Sequence, residues 1–117
     1  MTVGYVDPSF KLGLDQMPKE AKTPTGHHSV YVVYLRNPMR DGKAGYYVGM
    51  TGLSPEERFE NHKSGIKAAR IVRRHGERLV PKLYAHLNPM PYSKAKAMEA
   101  ALADSLRKRG YVVFGGH

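Results

Sequence analysis

In the stretch YYVGMTGLSPEERFENH, from Tyr46 to His62, a strand pattern runs almost directly into a helix start. Its first part, YYVGM, is rich in the aromatic and β-branched residues that strands favour. Ser54 then offers an N-cap, Pro55 suits the first helical position, and Glu57 lies three residues after the cap, which is the pattern of a capping box. A short helix is therefore predicted over residues 55–63.

Working outward from this stretch, the rest of the chain also divides into short strands and helices. VYVVYL, starting at Val30, and YYVGM are predicted to form a hairpin around the turn residues RNPMRDGKAG. IKAARIVRRH predicts a second helix ended by Gly76, and residues 93–109 predict a long helix with Ser93 as its cap. RLVPKLYAHL is ambiguous: Pro81 argues against a central strand, but Leu79, Leu83 and Tyr84 suit a short edge strand. YVVF predicts a last strand.

These elements follow the order β-β-α-α-β-α-β, which predicts the α+β class, with a small, mostly antiparallel β-sheet flanked by helices. A length of 117 residues suits one domain with a modest core. Residues 1–28 contain Pro8, Pro18 and Pro24 and few periodic apolar positions. We therefore predict an N-terminal arm over residues 1–28 and a folded domain over residues 29–117.

The charge of the chain favours a polyanionic partner. Nineteen Lys and Arg residues against ten Asp and Glu residues give a formal net charge of +9, which suits polyanions such as nucleic acid or acidic membrane surfaces. Nucleic acid is the leading candidate, and no membrane partner is expected. No apolar run approaches the length of a membrane span, so a soluble, cytoplasmic protein is expected. Because the chain has no cysteine, any metal would be held by oxygen or imidazole ligands.

The long predicted helix carries a carboxylate on or beside its apolar face. Ala95, Met98, Leu102 and Leu106 follow the spacing of a buried stripe, and Glu99 falls among them. A buried carboxylate is costly unless it is paired with a cation, bound to a metal, or close enough to the edge of the stripe to reach water. Taken alone, Glu99 would be explained by a position at the edge of the stripe, where its carboxylate can reach water.

Further polar residues in the hairpin and in the capped helix match a known pattern. Arg58 and His62 are four residues apart, so one face of the helix presents both. Two tripeptides of the hairpin, Ser29-Val30-Tyr31 and Tyr47-Val48-Gly49, precede them, and Glu99 follows on a later helix. In this order the residues resemble the GIY-YIG nuclease superfamily, over about residues 29–114.

The resemblance implies a metal-dependent endonuclease, a hydrolase that cuts phosphodiester bonds in DNA with one divalent cation, Mg²⁺ or Mn²⁺. It implies that Tyr31 acts as general base or positions the attacking water, and that Tyr47 is the tyrosine of the second motif. It further implies that Arg58 neutralises the scissile phosphate, His62 assists proton transfer and Glu99 binds the metal. Gly49 matches the glycine of the second motif.

The chain departs from the family pattern at a few positions. Ser29 and Val30 stand where the first motif has Gly and Ile, and Val48 stands where the second has Ile. Many family members carry an asparagine after the metal-binding glutamate, whereas this chain has no asparagine after Asn88.

The second predicted helix offers a basic surface. Lys67, Arg70 and Arg74 are spaced to share one face, and Lys63, Arg73 and Arg78 flank them. Contacts to phosphates position a protein on nucleic acid but carry little sequence information. Cleavage is therefore expected to be directed by the structure of the DNA, unless a homodimer or a partner protein adds specificity.

Two other functions also fit the charge. One is a non-catalytic module that binds DNA or RNA on the same fold, against which Tyr31, Arg58 and Glu99 argue. The other is an RNA-binding or ribosome-associated basic protein, which leaves the position of Glu99 unexplained. RNA therefore stays open as a substrate or partner.

Overall fold

A computed structural model describes residues 26–116. In the order of the chain, its regular elements are β1 Ser29–Leu35, β2 Gly45–Thr51, α1 Pro55–Ser64, α2 Arg70–His75, β3 Gly76–Leu79, two 3₁₀ turns at Pro81–Leu83 and Ala85–Leu87, α3 Tyr92–Lys108 and β4 Val113–Gly115. The predicted α+β class is confirmed: over the described range, three α-helices accompany a four-stranded mixed sheet.

The sheet has the strand order β3-β1-β2-β4. β1 pairs antiparallel with both β2 and β3, whereas β4 pairs parallel with β2, so the sheet is mixed. In the central hairpin Tyr31 lies opposite Gly49, and Val33 lies opposite Tyr47. Because side chains alternate along a strand, these four residues share one face of the sheet.

The core surrounds β1, in which every side chain except that of Tyr34 is buried. α1 lies on the face that carries Tyr31, because His62 contacts the Tyr31 hydroxyl. α2 lies on the same face, where Val72 and Val33 both approach Gly76. α3 packs against β1, β2 and β4. A central strand covered in this way is a rigid base for the side chains it presents.

Both ends of α1 are set by local sequence. Ser54 Oγ accepts a hydrogen bond of 3.1 Å from the Glu57 N–H, and Glu57 Oε1 accepts one of 3.2 Å from the Ser54 N–H, which is the predicted capping box. Gly65 ends the helix in the left-handed conformation, at φ 89°, which favours glycine because it lacks a Cβ. These caps fix the length of the helix that carries Arg58 and His62.

The prediction of a short edge strand in RLVPKLYAHL is wrong beyond Leu79. The chain instead makes two 3₁₀ turns: Leu83 is the last residue of the first turn, and Tyr84 lies between the two, so neither is a strand residue. The edge of β1 is completed in another way. The Val80 N–H donates to the Val32 carbonyl at 2.9 Å, and the Asn88 side chain bonds the N–H and the carbonyl of Val30 at 2.9 and 2.8 Å. Backbone groups buried at this edge are thereby satisfied.

Two predicted helix starts are also corrected. The second helix begins at Arg70, so Lys67 lies outside it, with a positive φ of 45°. The long helix begins at Tyr92 with Pro91 at the N-cap position, and no side chain caps it, so Ser93 is not the cap. Pro91 has no N–H and an extended conformation, which makes it a natural residue at which to enter a helix.

Of the predicted arm, residues 1–25 lie outside the described residues. Its last residues belong to the domain, because His28 and Met90 exchange backbone hydrogen bonds of 3.0 and 2.8 Å. Among the helices of residues 26–116, none is long and apolar enough to cross a membrane.

Candidate active site

The five residues of the predicted constellation lie on four elements around the sheet. Tyr31 lies on β1, Tyr47 on β2, Arg58 and His62 on α1, and Glu99 on α3. Tyr31, His62 and Glu99 are buried, and Tyr47 and Arg58 are partly exposed. The ring centroids of Tyr31, Tyr47 and His62 are 5.8 to 6.2 Å apart in each pair.

A buried hydrogen bond of 2.8 Å joins the Tyr31 hydroxyl to His62 Nε2. The other ring nitrogen, Nδ1, accepts a hydrogen bond of 2.9 Å from the Ala69 N–H. Because a backbone N–H can only donate, Nδ1 must carry its lone pair, and the proton of the neutral ring must be on Nε2. His62 therefore donates to the Tyr31 oxygen, and the Tyr31 hydroxyl hydrogen stays available to another partner.

The position of Tyr31 depends on Gly49. A Cβ at Gly49 would stand 2.6 Å from both Cζ and Oη of Tyr31, much closer than a van der Waals contact. The tyrosine ring thus lies directly over the glycine of the neighbouring strand. A side chain at this position would push the Tyr31 hydroxyl away from His62, so Gly49 is needed for close packing in the site.

Arg58 is held by the loop between α1 and α2. Its guanidinium group donates to the carbonyl oxygens of Ile66 and Lys67, at 3.4 and 2.8 Å. Its charge also acts on the buried residues: it opposes the larger increase that burial causes in the pKa of Tyr31 and Tyr47, and it adds to the decrease that burial causes in the pKa of His62. Arg58 is therefore a fixed positive charge beside the aromatic residues, rather than a mobile surface side chain.

Burial controls the protonation of these side chains. It raises the pKa of Tyr31, with a further rise from Tyr47, and the charge and hydrogen bond of Arg58 do not reverse the shift. It also raises the pKa of Tyr47, and it lowers the pKa of His62 to about 4, with Arg58 adding to that decrease. At neutral pH both tyrosines are therefore phenols, and His62 is a neutral imidazole.

Glu99 supplies the negative charge of the site. Only 7% of this residue is exposed, and its negative charge adds to the increase that burial causes in the pKa of Tyr31 and Tyr47, so it acts electrostatically on both tyrosines. Within residues 26–116, no three His, Cys, Asp or Glu side chains are grouped as metal ligands. A single carboxylate suits Mg²⁺ or Mn²⁺ better than Zn²⁺, because Mg²⁺ usually keeps several waters and binds through one or two carboxylates and substrate phosphates.

The predicted basic surface is only partly assembled. Arg70, Arg73 and Arg74 are exposed on α2 and line a cleft of about 470 Å³ beside Gly65. The remaining three predicted residues, Lys63, Lys67 and Arg78, do not line this cleft.

Each of these three residues has a different place in the fold. The Lys63 ammonium donates to the carbonyl oxygens of Arg73 and Gly76, at 3.0 and 2.8 Å, and so secures the end of α2. Lys67 lies in the loop before the first residue of α2. Arg78 lies over the Tyr34 ring, 4.3 Å from its centroid. Tyr34 alternates with Val33, so Arg78 is on the sheet face opposite α2.

Sequence reasoning missed two groups that hold the site together. The Ala69 N–H sets the tautomer of His62, and no sequence signal marks it, because every residue except proline has such a donor. The Asn88 amide bonds both backbone groups of Val30, the residue before Tyr31. An asparagine followed by proline signals a turn, but not a bond to a strand 58 residues away.

Comparisons with protein-family models, with curated proteins and with solved structures give no match.

Proposed function

We propose that this chain is a metal-dependent endonuclease of the GIY-YIG type, which hydrolyses phosphodiester bonds in DNA. The observation that carries the proposal is the buried Tyr31–His62 hydrogen bond beside Tyr47, with the charges of Arg58 and Glu99 acting on the same tyrosines. A stable core gains little from such a cluster, since burying charged and polar groups costs free energy. Phosphoryl transfer can use such groups, since a fixed cation stabilises the charge that develops on the phosphate and a carboxylate can hold a metal ion.

In this proposal Arg58 binds the scissile phosphate. Its planar guanidinium matches two phosphate oxygens, and its bonds to Ile66 and Lys67 fix its orientation before substrate arrives. A fixed cation stabilises the charge that develops on the phosphate in the transition state without first having to reorganise.

Tyr31 holds the attacking water through its hydroxyl group. Because burial keeps this group a phenol, it orients the water as a neutral partner and is not a tyrosinate formed in advance. His62 assists by donating Nε2–H to the Tyr31 oxygen, which fixes the direction of the hydroxyl group and leaves its hydrogen for the water. His62 is thus a positioning residue in this chain, which differs from the proton-transfer role implied by the resemblance.

Glu99 is the residue that would hold the divalent cation. When bound, Mg²⁺ or Mn²⁺ would supply Lewis acidity at the phosphate. Water and substrate oxygens would complete the ligand set, since one carboxylate is a minimal protein contribution. The exposed arginines of α2 would hold the flanking backbone, so the chain would respond to the shape of DNA more than to its sequence.

The decisive experiment replaces Glu99 with Gln, which keeps the size of the side chain but removes its negative charge. Cleavage of plasmid, single-stranded, branched and RNA substrates is measured with Mg²⁺, with Mn²⁺ and with a chelator. We expect the wild type to cut at least one DNA substrate only with metal, and Glu99→Gln to lose at least about a hundredfold in rate while still binding the substrate.

Asp104→Asn is the matched control, because it removes an exposed carboxylate from the same helix. Its cleavage rate should equal that of the wild type. A wild type that binds nucleic acid but cuts none of these substrates with either metal would instead be a non-catalytic binding module. Equal rates for Glu99→Gln and the wild type would contradict the assignment of the metal ligand.

A further inference from the structure

A second cleft, which the proposed nuclease site does not use, lies at the turn of the β1–β2 hairpin. It has a volume of about 620 Å³, and its walls carry Arg36, Arg40, Arg74, His75 and Glu77. We call it the hairpin cleft. It is distinct from the cleft beside Gly65 on α2, which we call the helix cleft.

The hairpin cleft has an excess of positive charge. Three guanidinium groups face one carboxylate, Glu77, which pairs with Arg36 at 2.6 Å. The Arg36 bond and the nearby arginine charges lower the pKa of Glu77, so this carboxylate stays ionised, and its single charge is shared between Arg36 and Arg78, which lies 4.0 Å away. Arg40 and Arg74 are both exposed, and no ion pair among the described residues includes either of them.

The walls of the hairpin cleft are held in place by hydrogen bonds. The Arg36 N–H donates to the His75 carbonyl at 2.8 Å, and His75 Nδ1–H donates to the Arg36 carbonyl at 3.2 Å, which ties the end of α2 to the end of β1. In the turn, Asn37 Oδ1 accepts from the Gly42 N–H. Arginines on a preorganised frame lose less entropy on binding an anion than arginines on a mobile loop.

Arg74 lines both clefts. The arginines of α2 therefore form a continuous basic path that runs past Arg74 to Arg36 and Arg40 at the hairpin turn. A row of guanidinium groups along a concave surface suits a chain of phosphodiesters, because each planar group can bond two oxygens of one phosphate.

We propose that the hairpin cleft binds the phosphodiester backbone of nucleic acid that continues from the helix cleft. The proposal rests on the proposed function for the presence of nucleic acid, but it concerns binding outside the five-residue site. It assigns the hairpin turn as a second contact region, so the bound strand would extend along α2 and around the end of β1.

The test measures the affinity for a labelled DNA duplex by fluorescence anisotropy, in a chelator and over a range of salt concentrations. Arg40→Asn is the main variant, since asparagine tolerates the positive φ of 61° at this position. We expect weaker binding and a slope of log affinity against log salt that is smaller by about one. Lys94→Ala, which removes an exposed cation of α3, should leave both unchanged.

Glu77→Gln tests the same cleft in the opposite direction. Removing the only carboxylate of the cleft frees Arg36, so the affinity should increase, whereas Asp104→Asn on α3 should have no such effect. Duplexes with and without terminal phosphates separate the two sources of a phosphate group. An effect of Arg40→Asn on both duplexes supports the backbone, and an effect that needs the terminal phosphate overturns the continuous path.

Failure of this proposal can be told apart from failure of the proposed function. If Arg40→Asn and Glu77→Gln bind like their controls while the wild type still binds and cuts DNA, the hairpin cleft is not a contact region and the nuclease proposal stands. If the wild type binds the duplex but cuts nothing, the nuclease proposal fails and the binding comparison still decides on the cleft. A wild type that binds no nucleic acid overturns both.

Discussion

Gly49 illustrates how one missing side chain supports the proposed chemistry. Because a Cβ at this position would lie 2.6 Å from the Tyr31 hydroxyl oxygen, Gly49→Ala must displace the tyrosine ring or separate the strands. We expect a loss of about 1 to 3 kcal/mol in the free energy of unfolding. We also expect the folded variant to cleave more slowly than the wild type, since Tyr31 no longer contacts His62. Chemical denaturation and cleavage rates measure the two effects.

Gly52→Ala is the control for that substitution. A Cβ there would be 3.4 Å from His28 Nε2, an ordinary contact. It should therefore retain nearly all of the stability and the cleavage rate. If Gly49→Ala behaved like Gly52→Ala, the close packing of Tyr31 on β2 would not matter for the site.

His62 should make the stability of the fold depend on pH. Burial and Arg58 lower its pKa from 6.5 to about 4, so the unfolded chain binds this proton more tightly than the native protein. The contribution of His62 is complete above pH 6.5 and is lost as the pH falls towards 4, by about 3 kcal/mol in total. Urea denaturation at a series of pH values from about 7 to 4 measures this loss.

Two variants isolate the contribution of His62. In His62→Gln the amide can still accept from Ala69 and donate to Tyr31, but it does not titrate, so the dependence on pH should become shallower. His86→Gln, which replaces an exposed histidine, should keep the dependence of the wild type. An unchanged dependence in His62→Gln would mean that His62 is not the group that titrates.

For single residues, the sequence reveals the residue types of the site better than it reveals their contacts. The order of Tyr31, Tyr47, Arg58, His62 and Glu99 along the chain is enough to make them candidates. The tautomer of His62 could not be predicted, because it depends on a backbone N–H that folding brings to the ring. The contact of Tyr31 with the neighbouring strand likewise depends on the strand register, which the hairpin sequence does not define.

Among the elements, α1 was predictable because its signals are local. The capping box and Gly65 lie within the helix and its borders, so a short window of sequence contains all the signals that define it. α2 lacks such a signal at its start: no side chain caps it, and its first residue follows a loop held by Arg58. The parallel pairing of β4 with β2 is equally non-local, since α1, α2, β3 and α3 all lie between the two strands in the chain.

The corrected position of α2 changes which residues should bind nucleic acid. Replacing Arg70, Arg73 and Arg74 with Ala removes the three exposed cations of the helix cleft. We expect weaker binding to duplexes of any sequence and a salt slope that is smaller by roughly two to three. The measurement is duplex affinity at several salt concentrations, without divalent metal.

Replacing Lys94, Lys96 and Lys108 of α3 with Ala removes the same charge from another helix. If the contact surface is α2, this variant should keep a steeper salt slope than the α2 variant. Equal slopes for the two triple variants would show that only net charge attracts the nucleic acid and that neither helix is a specific contact surface.

For the whole molecule, the boundary between arm and domain decides which part is needed for folding. The change in composition along the sequence puts this boundary after residue 28. The structure connects His28 to Met90 by two backbone hydrogen bonds, and it packs the His28 ring against Tyr92 with centroids 5.2 Å apart. Gly26 also approaches the backbone of Met90 so closely that a Cβ would not fit. Composition could not reveal these contacts, because the residues that His28 meets are about sixty positions later in the chain.

Two truncations test this boundary. A chain of residues 26–117 keeps the contacts of Gly26 and His28, so it should unfold cooperatively, at a temperature close to that of the full chain, and should keep any metal-dependent cleavage.

A chain of residues 29–117 loses the bridge between His28 and Met90. Met90 lies just before α3, the helix that carries Glu99. This shorter chain should melt several degrees lower, because a loss of about 1 kcal/mol shifts the midpoint by roughly 4 to 8 °C in a domain of this size. Differential scanning calorimetry distinguishes the outcomes. Equal melting temperatures for the two truncations would mean that the bridge at His28 adds no stability. A non-cooperative transition for residues 26–117 would mean that the domain needs the first 25 residues to fold.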